Sequence, residues 1–340
     1  MNTPRLIVLL TSTILSTSAF ADGLGPANGF TIFTIESYQA NNTDCTGRIA
    51  VGGPATYNNF GVGSALSNSN GDRDDLIVAG NLTWNNGQNF NGNVQVAGPI
   101  TMNNVGVPNG SVGEAVAIDF TDAEIQLQAI SDALYATEAN GTVSNNWGQL
   151  TMVGSDADLN VFSVSQSDLH PLWGMSIEVP EGSTVVVNIN HHSMQLNNFQ
   201  PMLTGCNANN IVFNFPIANS VQMNSIGWKG TILAPKASIQ FNNGQINGAL
   251  VCKSIQGNGE SHHDPFDGHL PGDSDDEQND ELDCGCCCHE NSFTYGVFVH
   301  GDGQDDDDEE AERDTGHPED LPCECICDCD IEPTNVASYD

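Results

Sequence analysis

Eight cysteines crowd into two short knots near the end of the chain. Cys284, Cys286, Cys287 and Cys288 lie in "CGCCCHE", and Cys323, Cys325, Cys327 and Cys329 in "CECICDCD". Thiols set among carboxylates could hold Zn²⁺ or a softer metal as thiolates. Structural zinc sites favour a C-x₂-C spacing, however, and an oxidising compartment favours disulfides. Disulfides within or between chains are therefore the preferred reading, with metal as the alternative. Four cysteines in each knot suggest that the knots pair with each other, while bonds between chains would give covalent self-association. A second candidate is "GDRDD" (71–75), where Asp72, Asp74 and Asp75 form an oxygen-rich loop of the kind that binds Ca²⁺. The plainer reading is a solvated turn. Two histidine pairs complete the inventory: His191-His192, and His262-His263 ahead of Asp264. Neighbours on a strand point to opposite faces, so neither pair easily chelates a metal.

Other chemistries lack their residues. There is no nucleophile elbow, no HExxH, no Gly-rich phosphate loop and no kinase set. Polysaccharide-cleaving sites need paired carboxylates. The acids of the body are few and sit mostly at turns: Asp72, Asp74, Asp75, Asp156 and Asp158. The expectation is a protein that is not an enzyme. Charge narrows the partners. The 340 residues carry a formal net charge of −37, and residues 272–340 hold 24 of the acids against one base, Arg313. Nucleic acid or an anionic membrane would require a basic patch, so both are excluded as partners.

The elements that must carry these residues are mostly strands. Residues 1–21 read as a secretory signal, with Arg5 in the n-region, "LIVLLTSTIL" as the apolar core and "AFA" before the cleavage point. The apolar run is short for a membrane span, so the mature chain is expected to start at Asp22, outside the cell and not inserted in a membrane. "IAVGGPATYNN", "LIVAGNLTWNN", "VQVAGPITMNN" and "TILAPKASIQFNN" share one layout: a β-branched run, a small residue, Gly or Pro, then a second run ending in Asn-Asn. Starts at Ile49, Leu76 and Val94 are roughly 20 to 30 residues apart, the coil length of a solenoid. Each coil hides its apolar side only by stacking on the next. The Asn pairs 58–59, 85–86, 103–104, 197–198 and 242–243 mark turns, since Asn tolerates left-handed backbone and stacked Asn side chains can bond between coils. The near-neutral stretch "GWKGTILAPKASIQFNNGQINGALVCKSI" (227–255) then reads as a pair of coils.

One segment differs. In "DFTDAEIQLQAISDALYATE" (119–138), Phe120, Ala123, Leu127, Ile130 and Leu134 step by three and four, the pattern of an amphipathic helix. Thr121 with Glu124 would form a capping box, Phe120 with Ile125 a staple, and Asn140-Gly141 the stop. The predicted fold class is mostly β: a right-handed parallel β-solenoid with one long α-helix packed alongside. A disordered, acidic, cysteine-rich tail (272–340) follows, carrying a hairpin candidate at 291–300. Cys45, Cys206 and Cys252 lie in the body; three cannot all pair with one another, leaving a buried thiol or a bond to the tail.

The order of motifs resembles the choice-of-anchor A family of bacterial surface and secreted proteins, over about residues 25–271. The residues that carry it are the inserted helix, "VFSV", "VPEGSTVVVNI" and above all "GTILAPKASI", "INGALVCKSI" and "HHDPFDG". The resemblance implies an adhesin-like, non-enzymatic surface role. The helix beside a solenoid also resembles bacterial ice-binding proteins, whose flat ladders are Thr-rich where this chain repeats Asn. The expected function is a secreted or surface-associated adhesin or extracellular matrix protein. It would meet an extracellular polymer, glycan or surface protein through its Asn/Thr/Gln face and aromatics such as Trp84, Trp147 and Trp173. The alternatives are a Ca²⁺- or Zn²⁺-binding protein acting through the tail, an ice-binding protein and, last, a polysaccharide-active enzyme.

Overall fold

The computed structural model describes residues 23–271. Three sides of parallel strands repeat coil after coil. On the first side, the run begins at Val112–Gly113 and passes through Asn93–Val96, Asp74–Val78 and Ile49–Val51 to the start of Ile32–Cys45. It continues through Leu250–Gly257, Thr231–Asn242, Ile211–Asn214 and Thr184–Ile189 to Leu159–Val164. The expected starts Ile49, Leu76 and Val94 stand in one register. The coils of 227–255 pair as well, with Trp228 opposite Ile246 and Ile232 opposite Leu250.

The coils are not stacked in chain order. The chain enters mid-stack at Ile32–Cys45 and winds outward to residue 113. It reappears at the far end and winds back until Leu250–Gly257 pairs with Ile32–Cys45. The helix α1 (Phe120–Ala136) makes the middle of the crossing. Its 17 residues span about 25 Å, close to five strand spacings. That is the step from Ile49–Val51 to Thr184–Ile189.

Two cores result. The solenoid lumen takes inward residues from all sides, and a second layer lies between α1 and the first sheet. There Phe120, Ala123, Leu127, Ile130 and Leu134 meet Phe33, Ala50, Val161, Val186, Val212, Leu233 and Val251. The helix ends differ from the sequence expectation. Asp119 is the cap, its carboxylate accepting from the amides of Thr121 and Asp122 at 2.9 and 3.1 Å. Ile125 is 64% exposed, so it forms no staple with Phe120. The stop comes at Thr137, whose hydroxyl donates to the Ala133 carbonyl at 3.1 Å. An aspartate two residues before the expected Thr121 cap wins because its acceptor oxygen is ionised and reaches two free amides.

A buried polar chain fastens α1 to the sheet. Asn214 donates to the Ser131 carbonyl and to Asn188 Oδ1, both at 2.8 Å, and accepts from the Ser131 hydroxyl. Asn188 donates to the Leu134 carbonyl at 2.7 Å. Alanine at Asn214 would leave several of these groups without partners. At about 1–3 kcal/mol for each stranded group, Asn214→Ala should cost at least about 2 kcal/mol. Chemical denaturation should show this as a lower midpoint; an unchanged midpoint would refute the role of the network.

Candidate functional site

The second side of the solenoid is a sheet of eight parallel strands. In order they are Ile100–Gly106, Leu82–Asn89, Ala55–Val62, residues 37–41, 254–257 and 238–242, Ser220–Asn224 and Ser193–Asn197. The period-two alternation of a strand sends every second residue inward. One inward column reads Leu196, Met223, Phe241, Gly257, Ala40, Tyr57, Trp84, Met102. The smallest members, Gly257 and Ala40, stand where the two arms of the solenoid meet. Gly257 is required: a Cβ there would lie 1.9 Å from the Phe241 carbonyl oxygen, and its φ is +151°.

The outward columns are uncharged throughout. Ser193, Ser220, Ser238, Ser254 and Ser37 form the first. Gln195, Gln222, Gln240, Gln256 and Gln39 form the second, which Thr56, Thr83 and Thr101 continue. Asn197, Asn224 and Asn242, then Asn41, Asn58, Asn85 and Asn103, form the third. Seven spacings make this face about 34 Å long, with columns about 7 Å apart. Charges gather at its rim instead, where Lys253 pairs with Glu36 at 3.1 Å and Lys236 with Asp132 at 3.6 Å.

The side chains are held by one another. Amide to amide, Asn58 donates to Asn41 (2.9 Å), Asn85 to Asn58 (3.1 Å), Asn103 to Asn85 (2.9 Å) and Asn224 to Asn197 (2.9 Å). Ser193 bonds Ser220 at 2.9 Å, and Ser254 donates to Ser238 at 3.0 Å. The second Asn of each expected pair turns the corner: Asn59, Asn86, Asn104, Asn198 and Asn243 all have positive φ. One break interrupts the Asn column. Past Gly257 the chain bulges, and Asn258 turns aside to Asn243, leaving a recess between Asn242 and Asn41.

The repeat behind this face is S-x-Q-x-N, present five times: 37–41, 193–197, 220–224, 238–242 and 254–258. The Asn-Asn corners signalled the turns but hid it, because only some copies end in Asn-Asn. Aligning the five segments on their Gln would have found it.

The expected site residues fall elsewhere. Asp75 is fully buried and paired with Arg73 at 2.6 Å, while Asp74 accepts from Asn93 and Gln95 at 3.1 and 3.0 Å. Asp72 is exposed. Among the described residues, no group of three His, Cys, Asp or Glu is placed to share a metal. His191 faces His170 with ring centroids 5.7 Å apart, and His263 accepts or donates at Thr31 across 3.1 Å. The cysteine knots and residues 291–300 lie outside the described residues. Of the aromatics, Trp84 is 0% exposed and belongs to the lumen, whereas Trp147 is 92% and Trp173 59% exposed.

Among the described residues, Cys45, Cys206 and Cys252 are buried thiols not bonded to one another, and the tail to which one was expected to bond lies outside those residues. Burial pushes the Cys45 pKa up to about 12 and that of Cys206 up to about 11, and raises that of Cys252 as well. The thiolate is the reactive form. In site-resolved alkylation of the native protein, Cys45 and Cys252 should stay unlabelled until denaturant is added. Labelling at the rate of a free thiol would contradict this packing.

Residues 23–263 match the model of a family described as an ice-binding-like adhesive domain. Solved structures with similar chains include an ice-binding protein from an Antarctic Biological Consortium (15% identity, TM-score 0.34, 75% of this chain and 95% of that one). Another is from the Antarctic ascomycete Antarctomyces psychrotrophicus (14%, 0.31, 74% and 99%). A third is from an Antarctic bacterium of the Flavobacteriaceae (11%, 0.30, 71% and 82%). No curated protein matches the sequence.

Proposed function

From the premise that the chain belongs to the ice-binding-like adhesive domain family, we propose that it is an exported, non-enzymatic adhesive protein whose ladder face binds ice. The observation that carries this reading is the uncharged Ser/Gln/Asn face, continued by Thr, in a chain of net charge −37. Pressing a charge against a solid surface strips its water at a cost of several kcal/mol, and this face has none to strip. Amides and hydroxyls both donate and accept, so they can order water in either orientation. The bonds along the Ser and Asn columns fix many of these side chains beforehand, which lowers the entropy lost on contact.

Export is supported by the family match starting at residue 23, next to the expected cleavage point. The choice-of-anchor A resemblance fits the same surface role. The mature protein, fluorescently labelled, should enter a slowly growing ice hemisphere above the level of a labelled inert protein. Exclusion to the level of that control would refute ice as the surface.

A further inference from the structure

A second surface lies at the tip of the hairpin joining Thr142–Asn146 to Gln149–Val153. Its two turn residues, Trp147 and Gly148, have φ of +55° and +100°. Two-residue hairpin turns with both φ positive favour Asn-Gly, and a bulky side chain is a poor occupant of the first place. Here the poor occupant is a tryptophan left 92% exposed. Exposed indole serves no core, so this local misfit marks a functional position.

The surroundings make the tip rigid. Asn145 accepts from the Gly148 amide at 2.7 Å and donates to the carbonyls of Asp168 and Pro171 at 2.7 and 2.8 Å. Trp173, itself 59% exposed, donates its indole N–H to the Trp147 carbonyl. Its ring lies against Gly148, where a Cβ would stand 2.3 Å from the ring, so no larger residue fits the turn. The flanking side chains are neutral amides, Asn146 and Gln149. The carboxylate of Asp168 is turned to the Ser165 amide and hydroxyl.

One held indole, Trp173, and a second presented on a rigid turn, with neutral amides beside them, suit a ligand that has apolar ring faces, a hydroxylated edge and no charge. We propose that Trp147 and Trp173 form a binding site for neutral saccharides. The indoles would stack on pyranose faces and Gln149 would meet their hydroxyls. The site does not depend on the ladder reading. The same loop runs on through His170 and Leu172, which border a recess against Ser193 at the last strand of the ladder. An adhesive face and a glycan contact would thus adjoin.

The test uses the mature full chain and four soluble probes: cellohexaose, chitohexaose, maltohexaose and mannohexaose. At least one should quench and blue-shift tryptophan emission, because Trp84 and Trp228 are buried and the exposed pair dominates the response. Trp147→Ala should weaken that binding at least tenfold, and Trp147→Tyr should restore part of it. Gln222→Lys with Gln240→Lys should leave it unchanged, which separates this site from the ladder. Three results would overturn the proposal. One is no response to any probe at millimolar concentration. Another is equal binding by Trp147→Ala. The third is an oligomer that Trp147→Ala converts to monomer without any sugar present, which would make a second copy the occupant.

Discussion

Lysine at both Gln222 and Gln240 should raise the concentration needed to inhibit ice recrystallisation at least tenfold, while the protein stays folded. The two glutamines are exposed and face each other across neighbouring strands in the second column. An ammonium is compact and strongly hydrated, so the face would have to desolvate two charges to make contact. The cost to the fold is small by comparison. Like charges directly opposite on a sheet destabilise by up to about 1 kcal/mol, and the side chains leave no cavity. A melting temperature near that of the unchanged protein, together with lost inhibition, is the expected pair of results. Retained inhibition would remove the second column from the binding surface.

Trp84→Ala should cost about 3–5 kcal/mol, the range for emptying a large aromatic from a packed core. The indole fills the lumen between Tyr57 and Met102 in register, with the Tyr57 ring edge-on at 5.7 Å. Its N–H has no hydrogen-bond partner inside the core. Trp84→Phe therefore sacrifices no hydrogen bond and should cost roughly half as much or less. Solenoid coils touch only their neighbours, so the damage should concentrate in the arm of residues 49–113. Hydrogen exchange should quicken there and change little around Thr184–Ile189. Uniform loss of protection would mean that the arms unfold as one unit.

Much of this architecture was legible in the sequence. The coil starts and Asn corners could be read because β-branched runs and left-handed turn residues are local properties. The helix was legible from five apolar positions, although its cap was misplaced because two acceptors, Asp119 and Thr121, lie close together. What could not be read was which side of each strand looks out. That depends on register between residues far apart in the chain, as with Ser37 opposite Ser254. The order of coils was hidden for the same reason: nothing local says that the last coil returns to the first. Trp84 and Trp147 illustrate the difficulty. Both are tryptophans with Asn and Gly close by, yet one faces the lumen and the other occupies a turn.

On the proposed function, the Ser/Gln/Asn/Thr face, and no other surface, should adhere to ice. A charge-matched comparison tests it most directly. Three labelled forms of the mature chain would be offered to one growing ice surface: the unchanged protein, Gln222→Lys with Gln240→Lys, and Ile125→Lys with Ala129→Lys. Ile125 and Ala129 are both exposed on the outer side of α1, one turn apart, and lysines there add the same charge away from the ladder. The unchanged and helix-substituted forms should enter the ice equally, and the ladder-substituted form should be excluded. Equal uptake of all three, or loss of the helix-substituted form alone, would contradict it.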